Sequence, residues 1–268
     1  MKLSIKILVG MFVVFIVGLL ASNIILKGEY DKVDKSDLYW TYRKILEQPF
    51  KYLKIEGGNI THIAFEQSLN SSVRVSNNWL RENEGVVKAS VKNDTLFILF
   101  NYAGKTMDEK GWWKYITPVR IFSPELMAVE GFDTNLEMFK LNQKSINVSM
   151  SGKSKFEVES RIRHLDSLNI FQKDSSEVVF EMSPDNKLSE TQVVKKGVAL
   201  STNSNKPIVI DAEEIKSPEA MNIQYVKANL QGYALLDLGH AQINSINLNI
   251  ADSSAIILSG GAIKRLPK

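Results

Sequence analysis

The sequence predicts an all-β solenoid behind an N-terminal transmembrane helix. Three observations predict it. An apolar run stands near the N-terminus, short alternating apolar segments fill the chain after Pro49, and a two-strand pattern returns in register.

The apolar run extends from Ile7 to Leu26, twenty residues in which only Ser22 and Asn23 are polar. At about 1.5 Å per residue a helix of that length spans roughly 30 Å, the thickness of a bilayer core. Lys2 and Lys6 precede it without an acidic residue. A cleaved signal peptide is the main alternative and a buried core helix a lesser one. The length of the run, and Ile24, Ile25 and Leu26 beyond its small-residue patch, favour an uncleaved anchor over residues 1–27. Lys27, Lys32, Lys35, Arg43 and Lys44 follow the span, so basic residues alone do not orient it. Large C-terminal domains are translocated largely regardless of charge. The expectation is a short cytoplasmic tail at the inner membrane, with the bulk of the chain on the periplasmic, extracytoplasmic side.

Residues 28–50 read as a juxtamembrane connector. Ser36 is placed to cap a short helix with Leu38, Tyr42, Ile45 and Leu46 on one face, ending before Pro49. Tyr39 and Trp40 suit either a membrane interface or packing on the domain.

From residue 51 to 268 the pattern is β. Apolar alternation marks Tyr52–Ile55, Ile60–Phe65, Val73 and Val75, Val86–Val91 and Leu96–Phe100. Turn-forming residues punctuate them at 57–59, 68–72, 82–85 and 92–94. In the C-terminal half Ile146, Val148, Phe156 and Val158 map onto Leu168, Ile170, Val178 and Phe180, and each shift is 22 residues. Ile223, Tyr225, Tyr233 and Leu235 map onto Ile246, Leu248, Ile256 and Leu258, each displaced by 23. A strand period near that length indicates a solenoid, in which stacked units bury what one unit cannot. Alternation points Leu168, Ile170, Val178 and Phe180 inward, and Asn169 and Val179 outward. A β-sandwich with evenly spaced hairpins is the competing architecture. The stretch 183–215 does not keep register and reads as an irregular unit or an insertion. Residues 51–105 and the tail GGAIKRLPK are candidate covers for the two ends.

The stretch FKYLKIEGGNITHIAFEQS, then SVRV, then GVVKASVKNDTLFILF, resembles the opening of the auto-transporter adhesin head GIN domain family. VRIFSPELMAVEG, with Pro124 and Gly131, resembles the family's next strand–proline–strand element, and Leu168–Phe180 and Ile246–Leu258 resemble its repeats. The resemblance covers about 50–266. It implies a right-handed parallel β-helix-like fold in a cell-envelope protein, as found in Bacteroidetes-type bacteria, and adhesion. It carries over no catalytic residue. The chain departs from the family in losing most turn glycines and in having a helix where a lipoprotein cysteine would stand.

Composition narrows the chemistry. The chain of 268 residues is 44% hydrophobic and 24% charged, an ordinary globular balance. A net charge of +3 is too small to argue for nucleic acid. The absence of cysteine removes disulfides, thiol nucleophiles, cysteine-ligated zinc and a lipidated cysteine. His62, His164 and His240 have no metal-binding spacing, GxSxG is missing, and SGKSK lacks the phosphate-loop spacing. No catalytic, cofactor or metal site is expected. Asp174 and Asp252 occupy similar turns and are the one candidate acid pair, although aspartate in turns commonly bonds nearby amides. Trp112, Trp113 and Tyr115, beside Lys110 and Lys114, are the candidate partner or ligand surface, against the alternative that they cover the end of the core. The expectation is a membrane-anchored binding or adhesion protein without catalysis, whose partner is a protein or a polysaccharide. An accessory subunit of a membrane complex and a polysaccharide-active enzyme are the alternatives.

Overall fold

The computed structural model describes residues 3–32, 36–102, 117–139, 143–160, 164–182 and 221–259. They form two units that divide between Arg43 and Lys44. In the first, helix α1 (Leu3–Asp31) exposes its apolar side chains along its length. Among the described residues it is the one helix long and apolar enough to cross a membrane, which is compatible with an anchor or a signal sequence.

The second unit is mostly β-sheet. Strand β1 (Tyr42–Leu46) stands where a connector helix was expected. Asp37 draws the chain into a turn instead, its side chain accepting from the Tyr39 amide at 2.9 Å and its carbonyl from Trp40 at 3.1 Å. Next come β2 (Tyr52–Glu56), β3 (Ile63–Gln67), β4 (Ser72–Ser76), helix α2 (Asn77–Glu82), β5 (Val87–Lys92) and β6 (Thr95–Phe100). The strand expected from Ile60 begins at Ile63, because residues 57–61 turn. The short helix α2 is not foreseen by periodicity. It seats Trp79 in the core.

The chain continues as β7 (Val119–Ser123), β8 (Ala128–Phe132), β9 (Asn135–Phe139), β10 (Ser145–Ser151), β11 (Lys155–Ser160), β12 (His164–Gln172) and β13 (Glu177–Met182). After residue 221 follow β14 (Asn222–Leu230), β15 (Leu235–Asp237), β16 (Gln242–Ile250) and β17 (Ala255–Ile257). The stretch 183–215 and the tail from Gly260 lie outside the described residues.

These strands make two mixed sheets rather than a closed solenoid. One has nine strands in the order β1-β4-β7-β3-β9-β11-β13-β15-β17, the other eight in the order β16-β14-β12-β10-β8-β2-β6-β5. The mixing has a local cause. Asn93 and Asp94 both adopt positive φ, 50° and 57°, which closes a tight hairpin and makes β5 antiparallel to β6. The pairing of β4 with β7 is also antiparallel. From β8 onward the neighbours pair in parallel, alternate strands going to alternate sheets.

The inward side chains of both sheets form one buried cluster. Ile146 and Val148 pair with Leu168 and Ile170, and Phe156 and Val158 with Val178 and Phe180, the 22-residue register read from the sequence. The 23-residue register does not hold. Val226 and Ala228 pair with Ile246 and Leu248, a displacement of 20 that Asn229 and Asn249 share. The cause is a change of parity within β14, where Ile223 and Val226, three residues apart, are both buried. Tyr225 therefore faces outward, since one residue of slip exchanges the two faces of a strand. Tyr233 is 75% exposed in the following turn, and Leu236 takes the buried place. Val179, expected outward, is only 5% exposed. Gln172 continues the inward row of Leu168 and Ile170 as a buried amide. Its Nε2 donates to the Ser176 and Leu235 carbonyls at 3.1 and 2.9 Å, tying the turn to the next repeat.

Candidate binding face

The eight-stranded sheet places its even-numbered residues of β2 on the side opposite the core. Strand register then lines up two outward rows. One runs Thr95, Tyr52, Ala128, Asn147, Asn169, Lys227 and Asn247. The other runs Phe97, Lys54, Glu130, Ser149, Phe171 and Asn229. Parallel strands stand about 4.8 Å apart, so each row is a ladder with that step.

Between these rows lies a groove of about 850 Å³. Ala128, Asn147 and Ser149 form its low middle because they are short. Tyr52 and Phe97 rise at one end and Phe171 beyond the other. Phe97 is 38% and Phe171 39% exposed. Four strand steps separate them, roughly 19 Å.

The polar groups of the groove are partly fixed. Asn169 donates to Asn147 at 2.8 Å, and Asn147 donates to the Met127 carbonyl at 3.1 Å. Lys54 donates to Glu130 at 2.7 Å, and that hydrogen bond with its charge holds the lysine pKa above the usual value against a smaller desolvation effect. Lys227 is exposed and has no carboxylate partner among the described residues. The arrangement offers apolar ring surfaces, amide donors and acceptors, and the Lys227 cation, without a carboxylate beside it among the described residues.

The residues singled out from sequence are distributed otherwise. Trp112, Trp113 and Tyr115 lie outside the described residues. Asp174 and Asp252 are not brought face to face. Gly232 intervenes, bonded on one side through the Tyr233 amide to the Asp174 carbonyl and on the other through its own carbonyl to Ser254. The Asp174 carboxylate accepts from the Gly152 amide at 3.0 Å, the turn role expected of it. His62 sits between Thr117, at 2.9 Å from Nδ1, and the Glu137 carboxylate at Nε2. His164 contacts Asp166 at 2.8 Å, and His240 is exposed. Among the described residues no group of three or more histidines or acids is placed to hold a metal ion.

Sequence reading missed the groove. Alternation alone points Asn169 outward, but a face composed of residues from six strands becomes visible only once register is known. The available signal was the set of aromatics at polar-phase positions: Phe97, Phe132 and Phe171 each stand where alternation points away from the core.

No family model and no curated protein matches the sequence. Solved structures do resemble it. One from Bacteroides fragilis, named as an adhesin, is 14% identical with a TM-score of 0.38, covering 81% of this chain and 96% of its own. One from Parabacteroides distasonis, named as a lipid-binding protein, is 13% identical with a TM-score of 0.35 over 81% and 96%. One from Clostridium sporogenes, named as a cell adhesion protein, is 14% identical with a TM-score of 0.29 over 78% and 98%.

Proposed function

We propose that the chain is a membrane-anchored binding protein of the cell envelope, of adhesion type, acting without catalysis. In this reading residues 1–27 stay in the inner membrane, 28–50 connect, and 51–268 stand on the extracytoplasmic side as a right-handed, parallel β-helix-like domain of the head GIN kind. One observation carries the binding function: the outer face of the eight-stranded sheet holds Tyr52, Phe97, Phe132 and Phe171 partly exposed. Aromatic rings kept in water on a rigid scaffold lose the benefit of burial, about 25 cal/mol per Å² of apolar area, until a partner covers them.

The test is capture from the native membrane. Full-length protein is crosslinked in place and compared with a Phe97→Ala/Phe171→Ala variant. A protein or polysaccharide retained by the parent and released by the variant is the expected result. Equal retention by both removes the face from the function. Retention that instead depends on residues 1–50 and not on the rings points to an accessory subunit of a membrane complex.

A further inference from the structure

We infer that the ligand of this face is an extended polysaccharide bearing carboxylate groups, a chain of hexuronic acid units laid across the strands. The inference rests on the binding reading above and specifies its ligand.

The geometry favours a polymer. The groove crosses the strands, and its recognition groups recur with the inter-strand step of about 4.8 Å, close to the length of one pyranose unit. Tyr52 and Phe97 at one end and Phe171 toward the other give flat surfaces for the apolar faces of sugar rings. The short residues Ala128, Asn147 and Ser149 leave room for the chain between them.

The polar chemistry favours hydroxyl groups. Asn169 uses one N–H on Asn147, so its second N–H and its carbonyl oxygen remain for a ligand. Asn229 lies beside Phe171 in the same register row. A hydroxyl both donates and accepts, as an amide does, and adjacent hydroxyls of a sugar suit a row of amides. A peptide strand is a poorer fit. It binds sheets by their edges, where backbone groups are unpaired, whereas this groove lies on a face whose backbone is already paired on both sides.

Charge selects the acidic sugar. The Lys54 ammonium is held by Glu130, whereas Lys227 is flanked in register by Asn169 and Asn247. A carboxylate beside Lys227 gains a charge-assisted hydrogen bond that a neutral hexose does not.

The test uses the full chain in lipid nanodiscs, an oligogalacturonate as probe, and a cello-oligosaccharide of equal length as its neutral counterpart. Binding is read by calorimetry. The oligogalacturonate is expected to bind the parent, about tenfold more weakly after Phe171→Ala, and several-fold more weakly after Lys227→Gln, with the Lys227 contribution fading at high salt. Tyr233→Ala, in an exposed turn away from the groove, is expected to bind as the parent does. All three changed side chains are at the surface, and circular dichroism checks that each variant is folded. Failure of the oligogalacturonate to bind, or binding indifferent to Phe171→Ala and Lys227→Gln, overturns the inference. Equal binding of the neutral oligosaccharide overturns the acidic specificity. If the probe fails while membrane capture still depends on Phe171, the ligand assignment falls and the binding reading stands.

Discussion

The Asp174 carboxylate accepts a hydrogen bond from the Gly152 amide, 3.0 Å away in the preceding repeat. Asp133 accepts from the Lys153 amide at 2.7 Å, in the following repeat. Asp133, Gly152, Asp174 and Gly232 follow one another along the turns, and all four have positive φ. Aspartate supplies the acceptor and tolerates that conformation, and glycine leaves room for it.

Gly232→Ala is therefore expected to destabilise the β unit. The added Cβ would lie 2.9 Å from the Asp174 carbonyl oxygen and 3.1 Å from its Cα, at a φ of +72°. Backbone atoms cannot step aside as a side-chain tip can, so a loss of about 1–3 kcal/mol follows. Asp174→Gly keeps the conformation and removes the carboxylate, costing about 0.5–1.5 kcal/mol. Denaturant titration measures both, and an unchanged midpoint for Gly232→Ala would contradict the stacking of these turns.

The hairpin between β5 and β6 gives a second expectation. Asn93 and Asp94 both sit in the left-handed region. Asn93→Val should cost about 1–2 kcal/mol, because a β-branched residue resists that region, and Asn93→Gly should be neutral or mildly stabilising. The ordering of the two melting temperatures is the readout. A valine variant as stable as the parent would mean that the turn is of another type.

Alkaline pH gives a third. Burial pushes the Tyr102 phenol up to about 12, against a smaller opposing effect of its hydrogen bond to Thr61 at 2.5 Å. Its ordinary value is about 10. The folded state then holds the proton more tightly than the unfolded chain, so stability is intact below about pH 10 and falls between about 10 and 12. The loss is roughly 1–2 kcal/mol, since the ring is only partly buried and solvent screens part of the effect. Lys54 titrates in the same sense, its pKa being raised by Glu130. Tyr102→Phe should flatten this part of the stability profile. In a spectrophotometric titration of parent against Tyr102→Phe, the difference is expected to be one phenol that ionises near pH 12. A difference spectrum that titrates at about pH 10 would refute the shift.

Much of the architecture was legible in the sequence where a single physical rule decided it. The 22-residue register from Ile146 to Phe180 follows from strict alternation, and the structure keeps it residue for residue. The 23-residue register failed because Ile223 and Val226 both turn inward, a parity change that apolar spacing alone does not reveal. The connector helix failed because Asp37 turns the chain before β1 begins. Gln172, polar by type, is fully buried because two carbonyls receive its amide. The groove was hidden for a different reason: each of its side chains reads as an ordinary surface residue, and only pairing across β2, β6, β8, β10, β12 and β14 assembles them.

That division of labour within β10 and β12 has a consequence for the outer surface. Along the paired parts of β10 and β12 the residues that hold the protein together and those that face outward alternate one by one, so substitutions at Asn147, Ser149, Asn169 or Phe171 leave the packing of Ile146, Val148, Leu168 and Ile170 largely untouched. The outer face can therefore vary in sequence while the scaffold beneath it stays the same.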